Sequence, residues 1–182
     1  MERIKRGGSV LATILLMTAT AAGEVGAQDI SARTAYFRAV AEYFELPTAE
    51  VSILADWNLR PDEIPVALFV ATRAGISPEA LVALRSSGQS WVELTRRYQV
   101  GAAQLHVPFA QAPASGLLAS VYEQYQARPA SEWSEIGLTE EAIVTLINVR
   151  VLSTALGMRP DEVLERRSAA HDFVDMYARI IG

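Results

Sequence analysis

Gly75-Ile76-Ser77-Pro78-Glu79-Ala80-Leu81 and Gly157-Met158-Arg159-Pro160-Asp161-Glu162-Val163 are two copies of one pattern, and their reading decides the fold. In each, a glycine suited to the left-handed conformation ends one helix. A proline then opens the next helix at its first position, where the missing N–H costs nothing. Ser77 supplies an N-cap in the first copy; Arg159 is a poorer cap in the second. Working outward, Arg85-Ser86 matches Arg167-Ser168, and Ser90-Trp91-Val92-Glu93-Leu94 matches Asp172-Phe173-Val174-Asp175-Met176. Glycine and aromatic are separated by the same interval in both copies, which points to a duplication. Upstream, Asp62-Glu63 corresponds to Glu140-Glu141, acidic pairs in first helical turns that favour the positive end of the helix dipole. The helix before the glycine is longer in the second copy by about one turn, which keeps its apolar face in register.

The same helical periodicity runs through the rest of the chain. Tyr36, Val40, Tyr43 and Phe44 recur at the spacing of one buried helix face, with Arg38, Glu42 and Glu45 falling away from it. Turn and cap residues predict helices at 30–45, 48–57, 61–74, 78–87, 91–99, 115–127, 139–156, 160–167 and 172–180. No stretch alternates long enough to predict a strand. The expected fold class is all-α: a leader at 1–27, then one compact domain at 28–182. Its repeat halves cover about 59–106 and 137–181. The linker at about 107–115 contains Val107-Pro108-Phe109-Ala110-Gln111-Ala112-Pro113, whose two prolines each remove a helix donor.

The N-terminus has the layout of a secretory signal. Arg3, Lys5 and Arg6 precede a moderately apolar run from Val10 to Ala22, and Val25-Gly26-Ala27 offers small residues for cleavage after Ala27. The run is shorter than the roughly 20 residues of a bilayer span. The expected location is periplasmic or secreted, with no stable membrane span after cleavage. Lys5 is the only lysine of the chain, so every basic residue beyond the leader is arginine. The full chain has 16 basic against 21 acidic residues, and cleavage leaves a net charge near −6. Such a balance disfavours binding to nucleic-acid backbones or anionic membranes. The chain has no cysteine and 2 histidines, which excludes disulfides, thiolate metal sites and cysteine nucleophiles. No cofactor and no metal is expected.

Leu81-Val82-Ala83-Leu84-Arg85-Ser86-Ser87-Gly88-Gln89-Ser90-Trp91-Val92-Glu93-Leu94 resembles a DNA-binding helix-turn-helix. The pattern departs from it where it matters: the second helix opens with Trp91, Val92 and Glu93, whereas a major-groove reader needs polar and basic residues there. The second copy has Ala170 at the turn glycine. A resemblance covering about Tyr43 to Tyr177 is to exported bacterial all-helical proteins with tandem helix-turn-helix-like repeats and no assigned function. It rests on Glu63–Ala71, Arg73–Pro78, Ser90-Trp91, Val107-Pro108 and Asn148-Val149-Arg150. It implies an exported helical fold and carries over no catalytic residue.

Candidate chemistry is sparse. No P-loop, dinucleotide fingerprint, zinc-protease or nucleophile-elbow motif is present. His106 beside the linker is expected to be partly buried and to satisfy a loop carbonyl, and His171 to serve capping or lie exposed. Arg85 and Arg167, matched between the halves, are expected to bond helix-end carbonyls or acids within their own repeat. Trp91 and Phe173 share a core role, and Trp57 is expected to pack. Trp133, Tyr122 and Tyr125 are the candidate exposed aromatics for binding a partner, although Val121, Tyr122 and Tyr125 also suit the apolar stripe of a short helix. The expected function is a non-catalytic exported interaction or structural protein with a protein partner in the cell envelope. One alternative is a small cell-wall glycan hydrolase using an acid among Glu123, Glu132 and Glu135, which would need an apolar pocket around it. The other, DNA binding, applies if the N-terminus is not a signal. Fractionation of a Gram-negative host expressing the full chain is expected to return a periplasmic protein whose intact mass begins at or near Gln28. A full-length cytoplasmic product would overturn the export assignment.

Overall fold

Gly75 and Gly157 both lie in the left-handed region, at φ +67° and +62°, and each closes a helix. The computed structural model describes residues 20–57 and 59–182, with side-chain environments from Ile30 onward except at Ala55. The leader assigned to 1–27 therefore falls outside the described residues over 1–19, and beyond them only its helical backbone is described. The chain forms α1 (Thr20–Phe44), α2 (Thr48–Ala55), a 3-10 turn (Pro61–Glu63) running into α3 (Ile64–Ala74), α4 (Pro78–Ser86), α5 (Trp91–Arg97) and α6 (Ala102–Leu105). It continues with α7 (Ala119–Ala127), a second 3-10 segment (Ala130–Glu135), α8 (Glu140–Leu156), α9 (Pro160–Ser168) and α10 (Phe173–Ile181). No strand occurs among the described residues.

The two copies of the sequence pattern fold alike. α4 and α9 each run nine residues from proline to serine. Ser77 Oγ accepts from the Ala80 N–H at 3.3 Å, whereas Arg159 makes no capping bond and instead pairs with Glu162 at 2.9 Å. Ser90 and Glu93 form the full reciprocal box, the Ser90 N–H donating to Glu93 at 2.8 Å. Asp172 accepts from the Asp175 N–H at 2.8 Å, but Asp175 reaches past it to the His171 N–H at 2.9 Å. That one-residue slip is the physical form of the weaker second box.

Packing follows the apolar pattern. α8 is buried from Ala142 through Val149 and again at Val151 and Leu152, so it is apolar on nearly every face and runs through the centre. α3 is buried from Ile64 to Ala71 and crosses α8, its counterpart in the other half. α1 rests on α8 and α10, and α2 fills the space beside α1, α3 and α4. The halves exchange contacts: α5 of the first packs on α8 of the second, and α10 of the second packs on the 3-10 turn of the first.

Three local expectations change. α1 is already helical at Thr20, where the described residues start and ahead of the expected 30, and α7 begins at Ala119 rather than 115. α6 and the second 3-10 segment were not expected; both are too short to show a helical period of their own. No single helix among the described residues is long and apolar enough to cross a membrane.

A side chain added at Gly157 meets nothing within 4 Å, so its cost is backbone strain alone. Gly157→Ala is expected to lower unfolding stability by about 1–2 kcal/mol in urea titration, the penalty of a left-handed alanine. Loss below about 0.3 kcal/mol would mean that α8 does not depend on this stop.

Candidate functional site

Two groups of functional side chains converge in the fold, one between the halves and one around the linker. The first begins with Glu63, the last residue of the 3-10 turn, whose side chain is 5% exposed. Its Oε1 accepts from Arg85 Nη2 at 2.6 Å, from Arg85 Nε at 3.1 Å and from the Trp91 indole N–H at 2.9 Å. Its other oxygen accepts from the Arg60 N–H at 3.2 Å. Arg85 also donates to the Gln89 carbonyl at 3.1 Å, and its Nη2 pairs with Glu140 of the other half at 2.8 Å. The guanidinium lies over the Trp91 ring, 5.5 Å from its centroid. Burial pushes the Glu63 carboxyl up, but the bonds from Arg85 and Trp91 outweigh it and hold the group below its ordinary range.

Arg85 thus bonds a helix-end carbonyl and an acid of its own repeat, as its position implied, and adds a bond to the other half. Its counterpart Arg167 keeps part of the pattern. Nη1 donates to the Ala170 carbonyl at 2.8 Å and the guanidinium lies 5.1 Å from the Phe173 centroid. No glutamate closes the site, because Glu141, the match for Glu63, is exposed. Asp62 stands nearest in role, and its pKa is raised: by burial first, with Glu63 and Asp172 adding and Arg60 and Arg167 opposing.

The second group holds the aromatics expected to bind a partner. Tyr122 and Tyr125 are buried, each 4% exposed, and Trp133 is partly buried, which corrects the expectation that the three are exposed. They meet around His106, whose ring lies 4.4 Å from Trp133, 4.7 Å from Tyr125 and 5.7 Å from Tyr122. Their polar ends are consumed within the fold. The Tyr122 hydroxyl donates to the Val107 carbonyl at 2.6 Å and accepts from the Val107 N–H at 3.3 Å. Tyr125 donates to the Ala102 carbonyl at 2.7 Å, and Trp133 Nε1 to the Tyr125 and Arg128 carbonyls at 3.1 and 3.2 Å. The i, i+3 spacing of Tyr122 and Tyr125 on α7 gives one face, and that face clamps the linker and α6.

His106 is partly buried, as expected, but its ring makes no hydrogen bond among the described residues. Its carbonyl instead receives Arg150 Nη2 at 2.6 Å. Desolvation and then the Arg150 charge lower its pKa, so the imidazole is neutral near pH 7. His171 is exposed and lies 3.2 Å from Asp172.

The three acids of the hydrolase alternative stand on the surface. Glu123, Glu132 and Glu135 are all exposed, and Glu135 faces Arg128 at 3.5 Å. The helix-turn-helix segment divides at the start of α5: Trp91 is wholly buried and the Val92 N–H points at Glu140 of the other half at 3.4 Å, while the side chains of Val92 and Glu93 are exposed. Shallow clefts of about 270 and 220 Å3 lie beside α9 and α5, lined in part by Phe109, Asp161 and Leu164 and by Val92, Ile136 and Leu138.

One tryptophan reverses its expected place. Trp57, expected to pack, is 42% exposed, and Ile53 one turn earlier is 55% exposed. Spacing alone could not show this, since Leu54 and Val51 already fill the inward face of α2.

No family model matches the chain, and neither a curated protein nor a solved structure matches it.

Glu63→Gln is expected to cost about 3 kcal/mol of stability, because it leaves a partly buried guanidinium short of a charge partner. Arg85→Met should cost a similar amount, and the double variant less than the two together. Additive losses in urea titration would show that the pair is not coupled. Because folding lowers the Glu63 pKa, its contribution is present above the ordinary glutamate range and is lost as pH falls through the folded value.

Proposed function

We propose that the protein is an exported, non-catalytic helical protein that binds a protein partner in the cell envelope through α2 and the turn that follows it. The observation that carries this reading is the pair Ile53 and Trp57, large apolar side chains one turn apart and both exposed. Tryptophan on a rigid support is the side chain most enriched at protein interface hot spots. The support is present: Ser86 Oγ of α4 donates to the Trp57 carbonyl at 3.2 Å, and Val51 and Leu54 anchor the opposite face of α2. Glu50 and Asp56 border the pair and are exposed, which favours a partner with basic residues around an apolar contact.

The side chains able to do chemistry support the same reading by their present engagements. Glu63 is saturated by Arg85 and Trp91, and the tyrosine hydroxyls hold backbone carbonyls. Each of these groups stabilises the fold in its current bond, and reaction chemistry would require breaking it.

A photo-crosslinking side chain placed at Ile53 in the exported full chain is expected to give a discrete adduct. Trp57→Ala should abolish that adduct while changing stability by less than about 1 kcal/mol. An equivalent probe at exposed Glu165 on α9 should not give the same adduct. Identical adducts from both positions, or an adduct indifferent to Trp57→Ala, would overturn the assignment of the surface.

A further inference from the structure

The two inter-half joints are built from matched residues and completed unequally. At the first, every nitrogen of the Arg85 guanidinium has a partner: Nε and Nη2 reach Glu63, Nη2 also reaches Glu140, and Nη1 reaches the Gln89 carbonyl. At the second, Arg167 Nε is buried and has no hydrogen-bond partner among the described residues. Asp62 Oδ1 is in the same condition, in a residue only 9% exposed. Arg60 Nε comes no closer to it than 3.4 Å, outside hydrogen-bond geometry, and Arg60 is itself largely exposed. Buried polar atoms left unpaired cost about 1–3 kcal/mol each, more when charged.

Four elements meet at this second joint. The 3-10 turn brings Asp62, with Glu63 beside it already bound to Arg85. α9 brings Arg167, and the residues opening α10 bring Asp172 and its exposed neighbour His171. α1 brings Tyr36, wholly buried, whose hydroxyl donates to Asn148 Oδ1 on α8; Asn148 in turn donates to the Asp62 carbonyl at 2.8 Å. Asp62 and Asp172 are like charges whose proximity raises the Asp62 pKa, after burial, while Arg60 and Arg167 oppose the rise.

We infer that α10 is a proton-sensitive clasp: with Asp62 ionised its docking on the 3-10 turn is weakened, and protonation of Asp62 tightens it. A protonated Asp62 no longer repels Asp172 and removes the cost of a buried charge without full hydrogen bonding. The direction follows from linkage. Burial in the folded joint raises the Asp62 pKa, and Asp172 at the start of α10 adds to the rise, so the docked state binds the extra proton and docking strengthens as pH falls through the raised value toward the ordinary aspartate range. The joint at Glu63 responds in the opposite sense, because folding lowers the Glu63 pKa and its contribution is lost as pH falls. Undocking exposes the apolar face carrying Phe173, Met176 and Tyr177, together with the part of α1 around Tyr36, whose ring lies 6.2 Å from that of Tyr177.

Hydrogen exchange of the full chain, corrected for intrinsic rates and read at about pH 7 and about pH 5, tests the clasp. The expected result is that α10 amides are more protected at the lower pH, while α4 and α5 amides show no such gain. Asp62→Asn should abolish that difference and give acid-like protection at both pH values. Asp172→Asn, which keeps a capping side chain, and His171→Gln should each leave a pH response in place. Equal protection of wild-type α10 at both pH values would overturn the inference. So would a response that survives Asp62→Asn.

Discussion

The Glu63 carboxylate, buried at the turn between Arg60 and α3, is the constraint on which the rest of the structure depends. A buried carboxylate is costly unless donors surround it, and the three side-chain bonds to Glu63 come from two different elements. Arg85 brings the end of α4, and the Trp91 indole brings the start of α5. The same guanidinium then reaches Glu140 at the first turn of α8. One ionic centre therefore sets the angle of the first helical hairpin and its seat against the second half.

The matched sequence pattern gives that centre an echo, and the residues that differ between the two copies leave the echo incomplete. Arg167 stacks on Phe173 as Arg85 stacks on Trp91, at nearly the same distance. Phe173 has no N–H to offer, and the acid matching Glu63 is turned to solvent. What remains at the second joint is an arginine nitrogen and an aspartate oxygen, both buried and neither hydrogen-bonded. A chain built from two equivalent halves thus has one strong seam and one weaker seam.

The aromatic nest around His106 shows the same economy of polar groups. Tyr122, Tyr125 and Trp133 each pack a ring into the nest and spend the attached O–H or N–H on a backbone carbonyl, that of Val107 in the linker, of Ala102 in α6 and of Tyr125 near the end of α7. Arg150 does likewise for the carbonyls of Gln104 and His106, at 3.0 and 2.6 Å. These side chains serve the stretch between the halves, and the exposed apolar pair Ile53 and Trp57 stands apart from them.

Most helices and both glycine stops were legible in the sequence, because they arise from local physics. A proline opens a helix, a left-handed glycine ends one, and apolar spacing chooses the buried face whatever lies opposite. The short α6 and the second 3-10 segment were not legible, since neither spans enough turns to show a period. Burial of aromatics outside the long helices was not legible either. Periodicity says which side of a helix turns inward, but not whether another element covers the outer side. Trp133 is covered by α7 and His106, and Trp57 is left uncovered although Leu54 beside it is buried. The partners of Glu63 and the isolation of Asp62 belong to the same category. They depend on residues far apart in the chain meeting in space, and only tertiary packing decides that.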